Sequence, residues 1–160
     1  MRAWFKRRVV DPLLALLKQG MSPAALALSV ACGIGVGIFP VLGVSTILLT
    51  VIALAFRLNL PTVQLVNYLV SPLQLLLIIP FVRVGEWLLG APKQPLSIRA
   101  GFALLAQGAL QAVHVLWDAI IHAAVAWFLL GPPLIYILFR SFTVIFRRAA
   151  LRYAKPDVPT

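Results

Sequence analysis

A single cysteine, Cys32, excludes an intrachain disulfide and any thiolate metal cluster. In its apolar surroundings it reads as a small packing residue. Acidic residues are nearly as scarce, four against fourteen lysines and arginines, which leaves a formal net charge of +10. No pair of carboxylates has a spacing suited to acid–base catalysis, and no zinc, serine-protease or phosphate-loop motif occurs. The sequence therefore predicts a protein that is not an enzyme and holds neither cofactor nor metal. Charge is missing altogether from Gln19 to Phe56. An uninterrupted helix over that run would be about 57 Å long, roughly twice the hydrocarbon thickness of a bilayer. The chain has to turn within it.

What is present is apolar: 62% of the 160 residues are hydrophobic, more than a soluble fold of this size can bury. The expected class is an all-α, polytopic integral membrane protein with one membrane domain over residues 21–150. The basic residues gather at the chain ends rather than in a nucleic-acid patch. Arg2, Lys6, Arg7, Arg8 and Lys18 precede the apolar region, and Arg140, Arg147, Arg148, Arg152 and Lys155 follow it. By the positive-inside rule both termini are expected in the cytoplasm, near anionic headgroups, with an even number of crossings. Lys18 and Asp11-Pro12 interrupt the first apolar segment, so no cleaved signal is expected.

Residues 1–20 place Phe5, Val9, Leu13 and Leu16 at helical spacing among basic residues, the pattern of an amphipathic helix on the membrane surface. Ser22-Pro23 reads as an N-cap and first helical residue. A first hairpin, 23–57, is expected to break at Pro40 to Gly43, either as two tight spans or as a re-entrant pair. A second hairpin, 61–89, is expected to break between Asn67 and Pro72, with Ser71-Pro72 repeating the cap signature and Pro80 kinking the second arm. Residues 90–97 form a linker, expected at the cytoplasm from Lys93 and nearby Arg99, and helices fill 98–150. Gln107, Gln111, His114, Asp118 and His122 form one polar stripe along the first of these. Ala119 to Phe139 is a charge-free span interrupted by Gly131-Pro132-Pro133. A cytoplasmic tail, 151–160, closes the chain. Trp4, Trp87 and Trp117 fall near expected interfaces, whereas Trp127 falls within a span.

The runs GIGVGIFPVLGVSTILLTVIALAFRLNLP, NYLVSPLQ and GEWLLG resemble a bacterial membrane family, domain of unknown function two-zero-six-two. The positions that carry the resemblance are Gly33, Gly37, Pro40, Gly43, Arg57, Asn59, Ser71-Pro72 and Gly85, within Ala24 to Gly90. Ser71 stands where the family pattern has asparagine, so a site built on that amide does not carry over unchanged. The resemblance implies a bacterial inner-membrane protein, with a link to the cell envelope through relatives fused to glycosyltransferase domains. It implies no activity.

Broken helices expose backbone groups inside a membrane, and a helix starting at Ser71-Pro72 would aim unpaired N–H groups and a partial positive charge inward. The candidate substrate-binding residues are therefore Gly33, Gly37, Pro40, Gly43, Arg57, Asn59, Asn67, Ser71 and Arg83. The bland reading of the same residues is close helix packing and satisfaction of broken backbone. Glu86, His114, Asp118 and His122 are the candidates for proton handling, set against a structural Arg83–Glu86 pair and a polar seam between helices. The leading expectation is a small transporter or flippase for an anionic amphiphile such as a lipid-linked phosphate, acting as a homo-oligomer. The alternative is a nonenzymatic scaffold for an envelope glycosyltransferase. The expected partners are membrane lipids, not nucleic acid.

Overall fold

The computed structural model describes residue 15 and residues 21–41, 43–93 and 109–153, with side chains from 116 to 151 in the last segment. Among the described residues there are four helices and no strand: α1 (Pro23–Gly37), α2 (Val44–Ala55), α3 (Leu60–Leu89) and α4 (Ala109–Tyr153). The expected surface helix over 1–20 apart from Ala15, the linker residues 94–97, the helix start 98–108 and the tail beyond 153 lie outside the described residues.

α1 starts as its sequence predicts. Ser22 Oγ accepts from the Ala25 N–H at 3.2 Å, and Pro23 occupies the first turn, where its missing N–H costs nothing. It stops because Pro40 supplies no donor; the last turn tightens, with the Phe39 N–H donating to the Val36 carbonyl at 2.9 Å. Gly43, at φ 81°, then sets the direction of α2, a conformation that costs a residue with a Cβ about 1–2 kcal/mol. The expected break at Pro40 is therefore present. α1 has 15 residues and α2 has 12, about 22 and 18 Å, both short of the roughly 30 Å hydrocarbon core.

The second expected hairpin is corrected. α3 is one helix of 30 residues, about 45 Å, and it runs through both Pro72 and Pro80. Its N-terminus lies at Asn59, whose Oδ1 accepts from the Thr62 N–H at 2.9 Å and from Thr62 Oγ1 at 2.6 Å. Ser71 does not cap a helix at Pro72. Its hydroxyl donates back to the Asn67 carbonyl at 3.1 Å, inside the continuing helix. A proline removes one helical donor, and contacts with neighbouring helices outweigh that local loss. Likewise α4 is a single helix through Gly131-Pro132-Pro133 rather than two. The missing Cβ of Gly131 makes room for the Trp127 ring, to which it would come within 2.7 Å.

α1, α3 and α4 all pack against one another. Gly33 meets Val63 and Val66, and Gly37 meets Asn67 and Val70, so α1 and α3 run in parallel. Gly35 faces Ile135, while Leu26 and Val30 cluster with Phe146, so α4 runs antiparallel to both. α2 folds back beside α1 and α3. Consequently Ser22, Arg57 and the Arg147-Arg148 end of α4 share one end of the bundle, and Gly90 lies at the other. That corrects the expectation that both ends of segment 61–89 return to the same side. α3 and the Leu116–Leu151 part of α4 are long and apolar enough to cross a membrane, and most residues of their most apolar stretches lie on the surface.

Candidate functional site

The break between α1 and α2 is held halfway along α3. Gln74 is buried, and its Nε2 donates to the Phe39 carbonyl at 2.7 Å and reaches the Val41 carbonyl at 3.5 Å. Trp127 on α4 donates from Nε1 to the Gly35 carbonyl at 2.8 Å, a group that the tightened last turn of α1 leaves available. Its indole meets Phe39 edge-on at 5.0 Å between centroids. Two side chains from two different helices thus satisfy the carbonyls on either side of the break.

Below Gln74 toward Asn59, amides and hydroxyls join α2 to α3. Gln64 Nε2 donates to the Thr46 carbonyl at 3.2 Å and to Thr50 Oγ1 at 3.0 Å. Asn67 Nδ2 donates to Thr46 Oγ1 at 3.2 Å and to Gln64 Oε1 at 3.3 Å. Asn67 Oδ1 is buried without a hydrogen-bond partner among the described residues, and a Cβ on Gly37 would stand 3.1 Å from it. Asn59 is tied into the same framework, its N–H donating to Ser29 Oγ at 3.3 Å.

Beyond Gln74 toward Gly90 the interior changes character. An apolar cleft of about 500 Å³ opens between α3 and α4, walled by Leu77, Pro80, Phe81 and Val84 on one side and Leu130, Pro133, Leu134 and Ile137 on the other, with Ile38 of the break at one edge. Past it, Glu86 is buried and pairs with half-exposed Arg83 at 2.8 Å. At neighbouring Gly85 the two helices touch backbone to backbone, since an added Cβ would fall on the His122 carbonyl. His122 Nδ1 is buried without a hydrogen-bond partner among the described residues, and Asp118 one turn earlier is exposed.

These placements divide the expected site residues. Gly33 and Gly37 admit neighbouring side chains, Pro40 lies buried in the break, and Gly43 is an exposed turn. Arg57 is exposed at the α2–α3 turn, and Asn59 and Ser71 spend their side chains on backbone groups of α3. The structure brings Pro40, Gly37 and Asn67 together; it separates them from Arg83 and Glu86 by the length of the cleft. The His114 side chain lies outside the described residues. The anion-binding helix start expected at Ser71-Pro72 is absent, because no helix begins there. Sequence reasoning passed over Thr46, Thr50, Gln64 and Gln74, and read Trp127 only as an aromatic within a span. Gln64, Asn67, Ser71 and Gln74 recur at steps of three and four, the helical signature of a polar face, and that spacing was the available signal.

A protein-family model described as an uncharacterized protein conserved in bacteria (DUF2062) matches residues 6–155. No curated protein and no solved structure matches the chain.

Proposed function

The chain belongs to that bacterial family, and we propose that it is an inner-membrane transporter or flippase for an anionic amphiphile. In this reading α3 and α4 cross the bilayer, the α1–α2 hairpin re-enters from the cytoplasmic end, and both termini remain there. The basic residues at the shared end of the bundle, Arg57, Arg140, Arg147 and Arg148, support that orientation. The depth of the hairpin supports the re-entrant form, since its tip meets α3 at Gln74, about 22 Å from the helix start.

The observation that carries the functional reading is the cleft. It is wholly apolar in its lining side chains, lies beside the hairpin tip, and is flanked by Arg83, whose guanidinium has more donors than its pairing with Glu86 uses. A hydrocarbon chain fits such walls, and an acidic headgroup fits the arginine. A single chain gives few helices to enclose a path, so transport requires an oligomer.

Purified protein in liposomes tests this. Translocation of a fluorescent acidic lipid is expected to accelerate over protein-free vesicles, and Leu134→Trp, which fills the cleft, is expected to reduce the rate at least tenfold. Equal rates with and without protein would overturn the reading.

A further inference from the structure

Among the described side chains there are five tyrosines and tryptophans, and four of them face outward. Tyr68, Trp87, Trp117 and Tyr136 are between 61% and 80% exposed, whereas Trp127 is buried. The four fall into two levels. Ile135, beside Tyr136, faces Gly35 of α1, while Gly33 and Gly37 on either side of it meet Val66 and Asn67, beside Tyr68. At the other end Gly85 rests on the His122 backbone, and Trp87 and Trp117 both lie beyond that contact, toward Gly90. Nineteen residues separate Tyr68 from Trp87, and nineteen separate Trp117 from Tyr136. Each interval is about 28.5 Å of helix, close to the roughly 30 Å of hydrocarbon in a bilayer.

Amphipathic rings collect at the two membrane–water boundaries, where one end is apolar and the other wet. We propose that Tyr68 and Tyr136 mark the cytoplasmic edge of the acyl layer and that Trp87 and Trp117 mark the opposite edge, so that lipid covers the outer faces of α3 and α4 between them. This placement rests on the proposed crossing by α3 and α4 and owes nothing to transport. Charge fits the same edges. Residues 69–82 and 119–136 contain no Asp, Glu, Lys or Arg, Arg140 lies one turn outside the tyrosine level, and Asp118 adjoins Trp117. Arg83 stands about 6 Å inside the tryptophan level, a depth from which its long side chain reaches the headgroups. A placement with the whole hairpin in hydrocarbon would draw exposed Arg140 into the acyl chains and leave exposed Trp87, Leu88 and Leu89 in water. Gln74 is six residues past Tyr68, so the tip that it holds enters the acyl layer by only about 9 Å and stops about 5 Å short of the midplane. Thr46, Gln64 and Asn67 accordingly join α2 to α3 at the cytoplasmic headgroup boundary rather than within hydrocarbon. Exposed Leu54, Phe56 and Arg57 lie further out, among the headgroups themselves.

The full chain with Cys32→Ser, in vesicles of phosphatidylcholine and phosphatidylglycerol, tests this with a nitroxide on one introduced cysteine at a time. Leu69→Cys, Leu88→Cys, Leu116→Cys and Ile137→Cys each stand next to an aromatic residue that stays in place, and Leu76→Cys and Phe128→Cys stand midway; all six positions are exposed. Oxygen concentrates among acyl chains and a nickel chelate in water. The ratio of spin relaxation by oxygen to relaxation by the chelate is expected to be about tenfold higher at Leu76 and Phe128 than at the other four positions. A maximum at Leu69 and Ile137 would sink the whole hairpin in hydrocarbon and overturn the placement. A flat, aqueous ratio at all six would overturn it together with the crossing itself. A maximum at Leu76 and Phe128 in a protein that moves no lipid supports the placement while overturning transport.

Discussion

The Nε2 of Gln74 lies 2.7 Å from the Phe39 carbonyl, joining the middle of α3 to the residue before Pro40. This contact sets how deep the α1–α2 hairpin reaches, because it ties the tip of the hairpin to a fixed height on the longer helix. The break leaves carbonyls that α1 cannot use, and a side-chain amide is the right length to reach them across an interhelical gap.

Gln74→Leu keeps the side-chain volume but removes the donor. The Phe39 carbonyl retains the Val41 N–H at 2.8 Å, so the loss is partial. Interhelical hydrogen bonds in membrane proteins contribute about 0.6 kcal/mol on average and about 1.7 at most, and a destabilisation of about 0.5–1 kcal/mol is expected in reversible unfolding from mixed micelles. A stability equal to the parent protein would show that the amide does not fix the tip.

Glycines divide by what surrounds them. Gly85→Ala places a methyl on the His122 carbonyl, where backbone rather than a flexible side chain has to move. Overpacking of this kind is expected to cost about 3 kcal/mol or more and to part α3 from α4 near Glu86. Gly43→Ala meets nothing within 4 Å and bears only the strain of φ 81°, about 1–2 kcal/mol. Thermal denaturation of the two variants side by side checks the ranking; equal melting temperatures would contradict it.

The difference between what was legible in the sequence and what was not follows from the range of the forces involved. The Pro40 break, the Ser22-Pro23 start and the Asn59 turn are local, decided by missing donors and capping side chains within a few residues. The continuity of α3 through Pro72 is not local. Ser71-Pro72 reads as a cap in isolation, yet Val63, Val66, Val70 and Gln74 all have partners on α1 or on the break, and those contacts are lost if the helix stops. The pairing of Trp127 with Gly35 spans 92 residues, and no spacing in the chain announces it. Glu86 stood out by composition alone, as a lone glutamate in an apolar run, but its place beside the Gly85–His122 contact required the fold.

The continuity of α3 also decides the topology. A hairpin broken at Pro72 returns residue 90 to the side of Arg57, whereas a single 30-residue helix, about 45 Å long, delivers the two to opposite ends. In a chain with Cys32→Ser, a cysteine at Phe56 and one at Gly90, introduced separately, distinguish these arrangements because both positions are exposed. A membrane-impermeant thiol reagent applied to intact spheroplasts is expected to label Gly90→Cys and to leave Phe56→Cys untouched, with the pattern reversed in inverted vesicles. Val41→Cys, at the tip, is expected to react at least tenfold more slowly than either in its accessible orientation, since it is partly buried and held against α3. Labelling of Phe56→Cys and Gly90→Cys from the same side would return the second segment to a hairpin and remove the basis for a cleft between two crossing helices.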